Sequence, residues 1–435
     1  MLLKFEGVSR PVSLTNGQAL LPVLQAIAGS WPYRRIGRAG ADPIITVRRI
    51  ADGFRIGSPW LEQIAEDDTA VGATCCMLVD LIRAYVEGDP SLLCFHCAAV
   101  EIDGRLAMFP NTVRAGKSTL VARLAAEGLR IFADDALPVG LGTRAEGIAL
   151  GIAPRLRLPL PRRTSADFRA FIESHAGPSD RRYRYLSLPP TLLAGYGSTA
   201  PLGAVVLLQR KPSGRAHLAP TRRGQGLQHL IAQNFAPGGT SIAAVDRLHA
   251  LVARLPCFTL SYSDVDEAAV LLRERLSDRQ ALSRAVPTRS RAAKRPVRAI
   301  DPGDTAALPS EPPVAAECYR QAAGVHLRDV DGDLFLVRPK QDRVFHLDPI
   351  AAALWRMLAL PTTMAAATGV LCEAFPSVDR RRVARDVRKV FEELHKGGLI
   401  QHESPARLTP ARTAASAGLS RASFPHRHRR GGRRD

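Results

Sequence analysis

The chain has 435 residues, enough for two or three domains with their own cores, and its 46% hydrophobic and 23% charged content is that of folded protein. No apolar run approaches the ~18–20 residues of a membrane span, and Met1-Leu2-Leu3-Lys4-Phe5 lacks the shape of a signal peptide, so a cytoplasmic protein with no membrane partner is expected. The net charge of +19 raises nucleic acid as a partner, but much of the excess lies in Arg279 to Arg298 and in the final segment, so no specific nucleic-acid partner is expected.

In chain order, residues 1–90 show strand patterns at Ile44-Ile45-Thr46-Val47 and Gly53-Phe54-Arg55-Ile56. Val71 to Val86 reads as a helix with an apolar face. This is the entry half of the next domain, or a small α/β lobe packed on it, and no chemistry shows in it. Seven cysteines, an odd number, make no disulfide framework. Cys94 and Cys97 are spaced C-x-x-C, but no second pair is placed to complete a zinc site, so buried thiols are expected.

The informative stretch runs from Phe95 to Asp135. An apolar strand, Leu106 to Phe109, precedes Ala115-Gly116-Lys117-Ser118-Thr119, and an amphipathic helix follows. Strand, tight loop and helix are the context a phosphate-binding loop needs, because a helix start presents free N–H groups and a positive dipole end to an anion. Lys117 can then reach the outer phosphates, and the Ser118 hydroxyl can ligate magnesium. The usual pattern wants glycine five positions before Gly116, where this chain has Asn111, and Arg114 is bulky for a loop that wraps phosphate. A second apolar run, Leu129 to Ala133, ends in Asp134-Asp135, where a metal ligand and a proton acceptor are needed beside such a loop. A solvated turn and a plain helix start are the alternatives.

His96, Gly104, Gly116-Lys117-Ser118, Gly128 and Asp134-Asp135 fall in the order and spacing of the HPr kinase/phosphorylase catalytic domain, which this region resembles over about 45 residues. The resemblance implies an α/β P-loop kinase domain of the HPr kinase/PEP carboxykinase-like type over 91–278, using ATP and Mg2+. It implies nucleotide contacts from Asn111, Arg114, Ala115, Gly116, Lys117, Ser118 and Thr119. Lys117 would be the phosphate lysine and Asp134 the base that accepts the substrate hydroxyl proton. Ser118 and Asp135 would be metal ligands, and His96 would tune the acidic pair. The family's glycines at Asn111 and Arg114 and its Glu-Arg-Gly signature are absent. The chain is most similar to the divergent HPr-kinase-related proteins found with peptide natural-product genes.

Beyond Asp135, Arg155 and Arg157 alternate with Leu156 and Leu158, so both arginines fall on one face of an extended segment, suited to phosphate or an acidic substrate or simply solvated. Pro201 to Gln209 reads as a buried strand and Leu227 to Phe235 as a helix. A last helix starts near Asp264, placed as its N-cap. Residues 279–313, rich in Arg, Ala, Pro and Ser, read as a disordered linker, and 403–435 as a basic disordered tail.

Between them, 314–402 should form a small α+β winged-helix-like module. Strands at Val325 to Val330 and Leu334 to Arg338 flank Asp331-Gly332-Asp333, a hairpin-turn signal. A third strand, Arg343 to Leu347, leads to helices at Pro349 to Leu360, Thr363 to Glu373 and Asp379 to Lys396. The texts FLVRPKQDRVFHLDPIAAALWRML and VRKVFEELHKGGLI resemble PqqD, the PQQ-synthesis protein D family of peptide-binding chaperones. That resemblance implies a precursor leader peptide added as a strand, with walls from Val344, Phe345 and His346 and from Arg385, Arg388 and Lys389.

The expectation is therefore an HPr-kinase-like serine kinase that phosphorylates a hydroxyl of a ribosomally made precursor peptide or small protein. The PqqD-like module would hold the leader, and a homo-oligomer is possible. The alternatives are a catalytically weak nucleotide-binding peptide scaffold and a nucleotide-gated DNA-binding regulator.

Overall fold

The computed structural model describes residues 1–37, 42–110, 115–161, 163–236, 242–278, 317–338 and 343–403. The segments read as linker and as basic tail lie outside these residues, apart from residue 403. The described residues divide into two compact units, one of 1–278 with 323–356 and one of 317–322 with 357–403. The stretch expected as one module, 314–402, is thus shared between them. Among the described residues no helix is long and apolar enough to cross a membrane.

The first unit opens with β1 (Leu2–Phe5), β2 (Val12–Thr15), α1 (Leu20–Ala28), β3 (Tyr33–Ile36), β4 (Ile45–Ile50), β5 (Gly53–Gly57), β6 (Ala65–Asp67) and α2 (Ala70–Glu87). The strands form one sheet in the order β3-β1-β2-β4-β5-β6. Ile45 and Val47 turn inward while Thr46 and Arg48 face solvent, the alternation of a half-buried strand. Leu24, Phe54, Met77 and Leu81 join this face to α1 and α2. The Thr69 hydroxyl accepts the Gly72 N–H at 2.9 Å and starts α2.

The central sheet uses β7 (Leu93–Phe95), β8 (Ala98–Ile102), β9 (Arg105–Phe109), β10 (Arg130–Ala133), β11 (Leu137–Leu141) and β12 (Ala145–Ile148). Helix α3 (Lys117–Ala126) joins β9 to β10. A side sheet, β13 (Arg155–Arg157), β14 (Ala176–Ser179) and β15 (Tyr183–Leu186), with α4 (Ala166–Ser174), covers part of α3. The main sheet resumes with β16 (Thr199–Arg210), β17 (His217–Pro220), α5 (Arg223–Gln233), α6 (Ile242–Val252), β18 (Cys257–Tyr262) and α7 (Val265–Ser277).

The order is β10-β8-β9-β16-β12-β11-β7, with β18 parallel to β16 and β17 beyond it. Strand β16 is parallel to β9 and antiparallel to β12. Ala204, Val206 and Leu208 pack under α3 and α7, whereas Val205 and Leu207 pack under α5 and α6. Burial on both faces explains why PLGAVVLLQ is continuously apolar rather than alternating.

Three further strands belong to the first unit: β19 (Cys318–Gln321), the next in chain order, lies in the second, but β20 (His326–Val330), β21 (Asp333–Val337) and β22 (Val344–Leu347) form their own antiparallel sheet here. Asp331 and Gly332 both have positive φ, 53° and 91°, as a tight two-residue hairpin turn requires. Val330 and Phe335 enter the same core as Leu227, Leu230 and Leu248, and Arg328 grips Asp246 of α6 with two bonds of 2.6 and 2.9 Å. Helix α8 (Pro349–Met357) follows, capped by Asp348.

In the second unit β19 lies between β23 (Thr362–Thr363) and β24 (Ile400–Glu403), a pairing the sequence reading did not anticipate. Helices α9 (Met364–Ala374) and α10 (Arg380–Lys396) lie within two residues of the expected spans. Val383, Val387, Phe391 and Leu394 bury one stripe of α10, and Tyr319 meets Phe391 edge-on at 5.5 Å.

Candidate functional site

The expected phosphate loop is described from Ala115 onward; Asn111 and Arg114 lie outside the described residues. Gly116 stands before α3 in the left-handed region, φ 93°, which glycine adopts at little cost. A side chain there would also strike the Tyr262 hydroxyl, 2.6 Å from where its Cβ would lie. Tyr262, at the end of β18, therefore roofs the loop, and its hydroxyl donates to the Ala115 carbonyl at 3.4 Å. Lys117, Ser118 and Thr119 form the first turn of α3.

Strand β10 delivers Asp134 and Asp135 to the same cleft. Asp134 is buried, with one oxygen accepting the Arg155 N–H at 2.9 Å and the other, Oδ1, without a hydrogen-bond partner. Burial pushes its pKa up to about 6; the Asp135 charge adds to this, while the Arg155 N–H and the Ser118 hydroxyl pull it down. Ser118 thus faces the carboxyl without closing a regular hydrogen bond to Oδ1. Asp135 is held on one oxygen by Arg155 at 2.9 Å and approached on the other by His96 Nδ1 at 3.3 Å.

His96 Nε2 lies 3.4 Å from Lys117 Nζ, so the imidazole spans the lysine and the acid. Burial lowers the His96 pKa, with Lys117 and Arg155 acting in the same sense and Asp135 against it. Neutral imidazole donating from Nδ1 to Asp135 and accepting at Nε2 from Lys117 satisfies both contacts. Burial likewise lowers the pKa of Lys117, with Asp135 and Asp134 opposing. The site is a chain of opposite charges around a neutral ring.

Arg155 and Arg157 lie on one face, as their spacing suggests, and both stack on the Tyr183 ring, at 4.9 and 5.5 Å. They line a cleft of about 450 Å3 with His96, Lys117, Ser118, Asp134, Asp135 and Arg210. Tyr183, Arg210 and Tyr262 were not read from the sequence, because each comes from a distant strand with no local motif. Cys94 and Cys97 are buried and free, as expected of structural thiols. Among the described residues no group of three His, Cys, Asp or Glu side chains could hold a metal; a hydroxyl–carboxylate site at Ser118 and the acidic pair is a different donor set.

Helix α5 ties this site to the β20–β22 sheet. At its C-terminal end the Gln233 carbonyl accepts the His96 N–H at 2.8 Å, and the Asn234 side chain accepts the Cys94 N–H at 3.3 Å. Its N-terminus, Arg222-Arg223, carries no side-chain cap of its own. The hairpin supplies one: Asp331 accepts the Arg223 N–H at 3.3 Å, and buried Asp333 sits against Gly224 and 3.5 Å from Arg222.

In the segment expected to hold a leader peptide, β22 is an edge strand pairing only with β21 among the described residues. Of its expected wall residues, Val344 and Phe345 are half-buried, whereas His346 bonds Asp333 at 3.2 Å and stacks on Phe335. On α10, Arg385, Arg388 and Lys389 are exposed.

Comparison with known proteins adds one family. Residues 333–400 match Coenzyme PQQ synthesis protein D (PqqD) and form a PqqD domain within the chain. No curated protein matches the chain. A solved structure titled TbiB1 in complex with the TbiA(beta) leader peptide is similar at 22% identity. The match covers 20% of this chain and 98% of that one, with a TM-score of 0.18.

Proposed function

We propose that the protein is an ATP-dependent kinase that phosphorylates a hydroxyl of a ribosomally made precursor peptide or small protein, whose leader the PqqD domain holds. The observation that carries the kinase reading is Asp134. A buried carboxylate with one unpartnered oxygen and a pKa near 6 faces the helix start that carries Lys117 and Ser118. Such a group is ionised at neutral pH and primed to accept a proton.

Lys117 and Arg155 would neutralise phosphate charge, with Arg157 and Arg210 at the cleft wall. His96 would hold Lys117 and Asp135 in register. The Ser118 hydroxyl and the Asp135 carboxylate, both lining the cleft, are the kind of hard oxygen donor magnesium takes and would hold it. When bound, magnesium would screen the phosphates. The leader reading rests on the PqqD match and on the open edge of β22, whose unpaired backbone groups suit an added strand.

The first experiment is calorimetric titration of wild type and Lys117→Ala with Mg-ATP, followed by transfer assays on candidate precursor peptides. Micromolar binding that the substitution removes, with transfer to peptide, is the expected result. Absence of nucleotide binding in both proteins would sink the kinase reading. Tight peptide binding without turnover would instead favour a scaffold, the reading to which the PqqD match alone lends support.

A further inference from the structure

Asp134, Asp135 and Arg155 line two cavities at once. One is the cleft over the loop. The other is a slot of about 40 Å3 walled by Cys75, Val79 and Ile82 of α2, by Ile152, and by Tyr185. Its lining is apolar except where it meets the two aspartates and Arg155. Most apolar residues of α2 are spent on the core beneath it, yet Val79 is left 39% exposed at this slot. Nothing in the sequence of α2 announces chemistry; the structure places its face against the carboxylates.

We propose that this slot is the acceptor subsite, taking a small aliphatic side chain adjacent to the hydroxyl residue of the substrate peptide. The inference rests on the phosphoryl-transfer reading above. Asp134 lines both cavities, so on this proposal phosphate approaches it from the loop and the hydroxyl from the α2 side. The acceptor O–H would give its proton to Asp134, its oxygen would bond the γ-phosphorus, and the bond from that phosphorus to the β–γ bridging oxygen would break, releasing ADP.

Size and polarity set the side-chain class. A volume of 40 Å3 is about three water-sized spheres, room for one or two methyl groups of a small aliphatic side chain but not for an aromatic ring. A charged side chain would be stripped of water against Val79 and Ile82, a cost offset only where its charge reaches the polar end of the slot.

The test uses the full chain with Mg-ADP bound and four probes: acetyl dipeptide amides joining serine to valine, leucine, glycine or lysine. Binding is read by saturation-transfer NMR and transfer by labelled Mg-ATP. The valine probe should bind ~10-fold tighter than the glycine probe, the scale of a few methyl groups in a pocket. Val79→Trp should erase that preference while leaving Mg-ATP affinity intact, and Val79→Ala should move the preference from valine to leucine. Equal binding of all probes, no binding of any, or a preference unmoved by both substitutions overturns the slot even where transfer occurs. Selective binding without transfer supports the slot and sinks the kinase reading instead.

Discussion

Asp134 accepts the Arg155 backbone N–H on one carboxylate oxygen and leaves the other buried without a partner. Its folded pKa, about 6, stands above the ordinary 3.8, so the folded protein holds this proton more tightly than the unfolded chain. Ionisation therefore costs stability, about 3 kcal/mol. The cost is absent below pH 3.8 and complete above pH 6. Asp134→Asn should raise the unfolding free energy in urea titrations at pH 8 by that order, show no gain near pH ~3.5, and, on the proposed kinase reading, abolish phosphoryl transfer. A gain that does not vary with pH would contradict the assignment.

Gly116 and Tyr262 constrain each other. Gly116→Ala meets both a left-handed backbone and the tyrosine hydroxyl, and should destabilise by about 1–3 kcal/mol while weakening Mg-ATP binding. Adding Tyr262→Phe removes the clash and leaves only the backbone cost, since the ring carbon lies at 3.9 Å. The double variant should recover part of the stability in thermal melts. Strict additivity would mean that the two residues do not touch.

His96 should titrate below the ordinary histidine range in NMR. The neighbours give opposite tests. Asp135→Asn removes the charge that favours the imidazolium and should lower the midpoint further. Lys117→Met removes an opposing charge and should raise it. Nucleotide affinity tied to the neutral ring should decline as pH falls through the wild-type midpoint.

The local half of this site was legible and the remote half was not. Lys117, Ser118, Asp134 and Asp135 announce themselves because β9, α3 and β10 are consecutive and their apolar patterns change from strand to helix and back. Arg155 and Arg157 were placed on one face by strand period alone. Tyr183, Arg210 and Tyr262 arrive from β15, β16 and β18, where nothing local distinguishes them from ordinary strand residues. Strand β19 pairs with β24, far along the chain, which no turn signal reports. One remote contact did leave a trace. Helix α5 has Arg222 at its N-cap position with no side-chain cap bond of its own, and the free N–H groups of such a helix start call for a partner from elsewhere.

That contact is testable at Gly224. A Cβ there would lie 2.2 Å from an Asp333 oxygen, so Gly224→Ala should cost about 1–3 kcal/mol despite the higher helix propensity of alanine. In an Asp333→Gly background, which also removes the Asp333 Cβ at 2.7 Å, the same substitution should cost much less. Equal costs in both backgrounds, by denaturant titration, would remove Asp333 from the helix end.

The borrowed cap bears on how such a protein can be divided or rearranged. A chain cut after Asp278 would retain every residue lining the cleft over α3 but take the Asp331 cap from α5, and would expose Leu227, Leu230 and Leu248 where Val330 and Phe335 now cover them. The far end of that same helix anchors the His96 amide. Grafting the PqqD segment away would therefore loosen His96 beside Asp135, and shuffling it onto another protein would carry off part of this one's core. In this chain the β20–β22 sheet is inherited together with the cleft it braces.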